Sequence, residues 1–219
     1  MASAIRETIA EPQSRGYTAA LTISFGALVA YIASIQQIVF EAFHEPRLIG
    51  LVFAAIAAPM ALASWTNSRV VGRFGLRRVG HLASLVFTVI ALVHAAVALT
   101  GHETLVAFVI LQALTMCAFA FTSSNFSTLA MEHMAAIAGT ASSVQGMVGT
   151  IGGAVLGFLI GQQFDGTVVP YVIGTALCAT GGFIALLLTE PKRLFAPLDA
   201  DRQELRAARE SPAVPEDLA

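Results

Sequence analysis

The sequence predicts an all-α membrane protein, a bundle of six transmembrane helices, and three observations carry that prediction. The 219-residue chain is 56% hydrophobic and only 12% charged, with a mean hydropathy of +0.75, whereas a soluble domain carries about 25% charged residues. Its charges are gathered between six uncharged windows, 16–40, 48–68, 79–102, 104–131, 133–164 and 166–189, each at least 21 residues long. A helix needs about 20 residues to cross the hydrocarbon core. In lipid the backbone finds no water partner, so apolar segments of this length must be helical.

Residues 1–17 contain Arg6, Glu7, Glu11 and Arg15 and lack the positive run and short apolar core of a cleavable signal. They read as an N-terminal segment before a six-helix domain at 18–190, with a polar tail at 191–219. The first span carries Tyr31, Ser34 and Gln37 at i, i+3 and i+6, with Gln36 alongside. The second runs into a basic loop with Arg69, Arg73, Arg77 and Arg78. The third holds His94 toward its outer end, read as a packing residue and as the one titratable group within the membrane. On the fourth, Gln112, Thr115, Met116 and Phe119 share one side at i, i+3, i+4 and i+7, and the polar residues 122–125 are expected to close the helix. Cys117 and Cys178 lie inside spans without metal-type spacing and read as small apolar filler.

The stretch "NFSTLAMEHMAAIAGTASSVQG" at 125–146 carries one full charge, Glu132. His133 beside it has no evident partner for nucleophilic chemistry, so the stretch reads as a tight turn entering the fifth helix, with a break at Gly139. In that helix Gly149, Gly153, Gly157 and Gly161 recur every fourth residue. Small residues at this spacing let a neighbouring backbone approach closely. Both a static seam and a sliding surface fit the pattern. The tail from Lys192 onward has three prolines and mixed charge, compatible with a short surface helix at 199–209 or with disorder.

Six spans place both termini on one side. That side gathers Arg6, Arg15, Arg69, Arg73, Arg77, Arg78, Lys192, Arg193, Arg202, Arg206 and Arg209, and the other has Arg47 alone. Basic residues are retained in the cytoplasm, so both termini are expected there, in a cell inner (plasma) membrane. No Asp, Glu, Lys or Arg is expected inside any span.

The segments "NSRVVGRFGLRR" at 67–78 and "SSNFSTLAMEHMAAIAGTASSVQG" at 123–146 resemble the C-terminal half of a major facilitator superfamily transporter. Within the second, "AGTASS" at 138–143 resembles the Bcr/CflA type of drug/proton antiporter. The resemblance covers roughly residues 13–195. It implies half of a major facilitator fold, a 3+3 inverted repeat supplying helices seven to twelve. No similarity between 18–100 and 103–189 is readable, so the repeat rests on the resemblance. Arg73, Gly75 and Arg77 match the family's signature loop, but Gly72 stands where the pattern has Asp, which puts a charge-to-helix-dipole latch in doubt. The family layout turns the first and fourth spans toward the central cavity, which makes Tyr31, Ser34, Gln37, Gln112, Thr115 and Phe119 candidates for lining it.

The function implied is multidrug efflux of small hydrophobic compounds by proton antiport, once combined with an N-terminal half. The alternative is a non-transporting membrane fragment or a structural, interacting half-transporter. An enzyme is not expected. The Gly-x-Ser-Gly motif of a rhomboid-type protease is missing, as are a channel's Asn-Pro-Ala loops and mitochondrial-carrier repeats. No cofactor or metal is expected. The partners expected are the lipid bilayer, small hydrophobic substrates, and an N-terminal six-helix half or a second copy; nucleic acid is not among them.

Overall fold

The computed structural model describes Arg6, Thr8 and residues 10–191. Among these residues every regular element is helical, and six helices are long and apolar enough to cross a membrane. The basic residues from Lys192 onward and the surface helix expected at 199–209 lie outside the described residues.

Helix α1 (Pro12–Gln37) starts where the Glu11 side chain accepts from the Ser14 backbone N–H and Pro12 occupies the first turn. It continues through a π-helical turn, Ile38–Ala42, so the first span is 31 residues long and takes in Glu41. A 3-10 turn, Pro46–Leu48, leads into α2 (Ile49–Phe74). Helix α3 (Leu76–Leu99) follows after a single residue. Gly75 caps the end of α2 and the start of α3, at φ +86°. Residues with a side chain rarely adopt that conformation, so the corner requires glycine.

Helix α4 (Leu105–Ala130) is capped by Thr104, whose hydroxyl accepts from the Ala107 N–H at 3.2 Å. It does not close at 122–125. Thr122 Oγ1 donates to the Ala118 carbonyl at 2.9 Å and Asn125 Nδ2 to the Phe121 carbonyl at 2.7 Å. These side chains satisfy themselves on their own helix without ending it. The turn falls at 131–134 instead. A 3-10 turn, Ala135–Ile137, enters α5 (Ala138–Gly161), so Gly139 is inside that helix rather than before it. Helix α6 (Val169–Thr189) completes the bundle. The helix ends also correct the expectation of charge-free spans: Arg69 and Arg73 belong to α2, Arg77 and Arg78 to α3.

Helix α1 packs on α4, α5 and α6, while α4 packs on α1, α2 and α3, and α3 meets α6. Exchanging α1 with α4, α2 with α5 and α3 with α6 carries this set of major contacts onto itself. Because the helices alternate in direction, the exchange inverts the repeat across the membrane plane. The 3+3 arrangement that the residues alone did not reveal is thus a property of the packing. Helices α2 and α5 are the peripheral pair, each with 17% of its apolar window buried. Their outward residues, such as Leu51, Leu62, Ile151 and Phe158, are exposed as lipid-facing side chains would be.

The glycine stripe of α5 faces α1. Gly153 abuts the Phe25 ring, and a Cβ on Gly157 would lie 2.5 Å from Val29 Cγ1 and 2.9 Å from the Ala30 backbone nitrogen. Gly149 and Gly161 have more room, with Thr22 Oγ1 at 4.0 Å and Ser34 Oγ at 3.7 Å from such an atom. Gly146, one turn earlier, has nothing within 4 Å. Gly157→Ala should therefore destabilise the bundle by about 1–3 kcal/mol through overpacking against backbone, whereas Gly146→Ala should be neutral or stabilising. Thermal unfolding of both variants in detergent checks this, and equal melting temperatures would contradict it.

Candidate functional site

Tyr31, Ser34, Gln112, Thr115, Met116 and Phe119 all turn into the six-helix unit and are buried, with Gln112 and Thr115 fully inaccessible. Gln36 and Gln37 are exposed beyond them. Helix α6 adds Tyr171 and Thr175 to the same interior, residues that had drawn no attention in the sequence. The Tyr171 hydroxyl lies beside Thr175 and Gln112. None of these three side chains, nor the Tyr31 and Ser34 hydroxyls, completes a hydrogen bond of standard geometry. Thr115 returns its hydroxyl to the Leu111 carbonyl at 2.7 Å. Phe119 stacks obliquely on Phe25 and Phe87. A ligand between two halves could not touch this set as it stands. Of the six cavity candidates, Gln37 alone reaches the surface.

An open cleft lies elsewhere, between α1, α4 and α5 at the arginine-rich end. It encloses about 260 Å³. Leu21 and Phe25 from α1 form an apolar wall, Ser123 and Ser127 come from α4, and Ser142, Gln145, Gly149 and Thr150 come from α5. Gln145 is held by two bonds, from Nε2 to Ser14 Oγ and to the Ala130 carbonyl, both at 3.0 Å. The walls carry hydroxyl and amide groups and no charge. Sequence reading placed the small residues of 125–146 in a turn and a packing helix, and missed that they also form this wall.

The two motif segments meet next to the cleft. Asn67 and Asn125, both buried, exchange side-chain amide bonds at 2.9 and 3.4 Å and tie α2 to α4. Arg77 points into the bundle, with 7% of its side chain exposed. Its Nη2 donates to Glu132 Oε2 at 2.5 Å, and its Nη1 lies 3.2 Å from Glu190 Oε1 at the end of α6. Gln13 of α1 also donates to Glu132, at 2.5 Å. Beneath them Tyr17 OH and His81 Nε2 are 2.7 Å apart, and His81 approaches Glu190 at 3.7 Å. His81 is fully buried, so His94 is not the one titratable group within the spans. His133 Nδ1 lies 3.6 Å from the Glu11 carboxylate, an acid and not a nucleophile. One guanidinium thus joins α1, α3, the α4–α5 turn and the end of α6. Arg73, by contrast, is exposed, and Gly72 has no neighbour that a side chain there would meet.

At the opposite end His94 Nε2 lies 2.8 Å from Glu103 Oε1, both side chains almost inaccessible, with the His94 ring against Phe108. The pairing with Glu103 went unread because the acid lies outside the uncharged windows.

A family model described as Major Facilitator Superfamily matches residues 17–215. No curated protein and no solved structure matches the chain.

Arg77→Gln should cost about 3–5 kcal/mol, because it removes the buried guanidinium that Glu132 and Glu190 share, whereas Arg73→Gln on the exposed surface should shift stability by less than about 0.5 kcal/mol. Melting temperatures in detergent distinguish the two. Partial burial pushes the Glu132 carboxyl up, but the bonds from Arg77 and Gln13 outweigh it and hold Glu132 below its ordinary value of 4.5. A depressed carboxylate stabilises the fold above its unfolded value and loses that contribution as pH falls through the folded one. The destabilisation by Glu132→Gln should accordingly be full above pH 4.5 and vanish in more acid solution; a pH-independent difference would contradict the pairing.

Proposed function

This chain belongs to the Major Facilitator Superfamily of transporters, and on that premise we propose that it forms the C-terminal six-helix half of a multidrug exporter, of the Bcr/CflA type, that works by proton antiport when joined to an N-terminal half. The observation that carries this reading is the uncharged cleft between α1, α4 and α5. An apolar wall of Leu21 and Phe25 faced by hydroxyls and one anchored amide suits small hydrophobic compounds with a few polar groups. Sugars or anions would call for denser hydrogen bonding or fixed charge. A pseudo-symmetric six-helix unit supplies one wall of a cavity, and alternating access needs a second unit to rock against it.

The arginine-rich end is assigned to the cytoplasm by the positive-inside rule, which puts the cleft at the cytoplasmic side of an inner membrane. In that orientation a thiol at Arg73→Cys reacts from the cytoplasm only and one at Asp165→Cys from outside only. Labelling of the first site from outside would reverse the assignment.

Transport is tested in proteoliposomes with an imposed proton gradient and a lipophilic fluorescent dye. The purified chain alone is expected not to accumulate dye, and co-reconstitution with an N-terminal half of the superfamily is expected to restore it. In that paired form Gln145→Ala and Ser127→Leu should change the ranking of substrates, as Gln37→Ala should if the cavity extends to the outer end. Gln112→Ala should act through stability instead. Proton-driven export by the single chain would overturn the half-transporter reading in favour of a self-paired dimer. Inertness of every pairing would leave the structural half as the better account.

A further inference from the structure

Helices α2 and α3 are joined through the single residue Gly75 and then diverge, each leaning on α4. Between them opens a groove of about 400 Å³, floored by Ala118 and Phe121 of α4. Its sides are Phe74 of α2 with Leu82 and Val86 of α3, and Arg78 stands at its mouth. Arg78, Leu82 and Val86 follow one another at successive turns, so the lined length is about 12 Å along α3. The groove lies on the outside of the bundle, away from the cleft between α1, α4 and α5.

The charge at its mouth is unspent. Of the four arginines flanking the corner, Arg77 is turned inward and neutralised by Glu132 and Glu190. Arg69, Arg73 and Arg78 are exposed and have no carboxylate partner among the described residues. Arg69 lies 3.7 Å over the ring of Trp65, the only tryptophan in the chain. That contact engages Arg69 and leaves Arg73 and Arg78. Arg78 is near the corner, and Leu82 and Val86 follow one and two turns further along α3; in a bilayer that order sets the arginine at headgroup depth and the apolar side chains against acyl chains.

We propose that this groove binds an anionic phospholipid, with one acyl chain against Leu82, Val86 and Phe121 and the phosphate held by Arg78 with Arg73 beside it. The shape takes a chain, and the unpaired guanidiniums select the headgroup. A basic residue next to a membrane surface contributes about fivefold in affinity for acidic lipid, and Arg78 is the one that lines the groove itself. The proposal is independent of what the transporter carries.

The test places a single fluorescent reporter in the groove of the full chain, Leu82→Trp in a Trp65→Phe background, in bilayers of zwitterionic lipid. Brominated phosphatidylglycerol should quench the reporter at about fivefold lower mole fraction than brominated phosphatidylcholine. Adding Arg78→Gln should abolish that preference, while an Ile184→Trp reporter on the exposed face of α6 should show none. If Leu82→Trp fails to fold, Val86→Trp reads the same groove. Equal quenching by both lipids, or the same preference at position 184, would overturn the proposal. Excess inorganic phosphate should leave the preference intact; its loss would assign the arginines to a free anion and likewise overturn the lipid site.

Discussion

The bundle depends on how closely other backbones can approach α1. Lipid is as apolar as leucine, so helices inside a membrane gain little from hiding apolar surface and must associate through contact itself. Helix α1 is approached on two sides by glycine. On one side Gly157 sits against Val29 and the Ala30 backbone; on the other Gly182 lies where a Cβ would be 3.0 Å from the Ala20 carbonyl. Gly26 returns the arrangement from α1 itself, nesting against Leu156 and Cys178. With these small residues α1 takes α5 and α6 at short range while keeping a third side for α4. In the pseudo-twofold arrangement α4 holds the equivalent place between α2 and α3, but with less glycine: Gly80 of α3 nests against Asn125 and Phe126, whereas Gly50 and Gly72 of α2 meet nothing.

Polar groups then decide which ends are fixed. At the arginine-rich end a buried guanidinium bridges two carboxylates, and an asparagine pair stitches α2 to α4. Toward the opposite end, hydroxyls and an amide from α1, α4 and α6 gather near the buried His94–Glu103 pair, with Phe108 touching both His94 and Tyr171. Both ends of the unit therefore carry a buried ionic contact, and such a contact is costly to break.

The six spans were legible because the thickness of the hydrocarbon core imposes both length and composition on each helix. The glycine stripe was legible as a stripe, since every fourth residue returns to one face. Which face it was could not be read, because periodicity groups residues without saying what the group looks at. The same limit explains Tyr31, Ser34, Gln112 and Thr115: their shared sides were visible, but their inward aim depends on how α1 and α4 are rotated against α6. Arg77 and Arg78 look alike in sequence and end in opposite surroundings. Glu132 and Glu190, 55 and 113 residues away from Arg77 along the chain, carry no local mark of the pairing. His81 was overlooked for the same reason, as its partner Tyr17 lies on another helix.

The corner at Gly75 also bears on how the protein is made. Two spans separated by one residue offer no loop on which the first could wait while the second is synthesised. Such a pair suits insertion as a single hairpin, with the arginines around the corner opposing its passage through the membrane. Biogenesis and architecture are thereby coupled at one position: a linker inserted there would uncouple the insertion of two helices, whereas one inserted between Gly101 and His102, where the chain already turns in the open, would leave the order of assembly untouched.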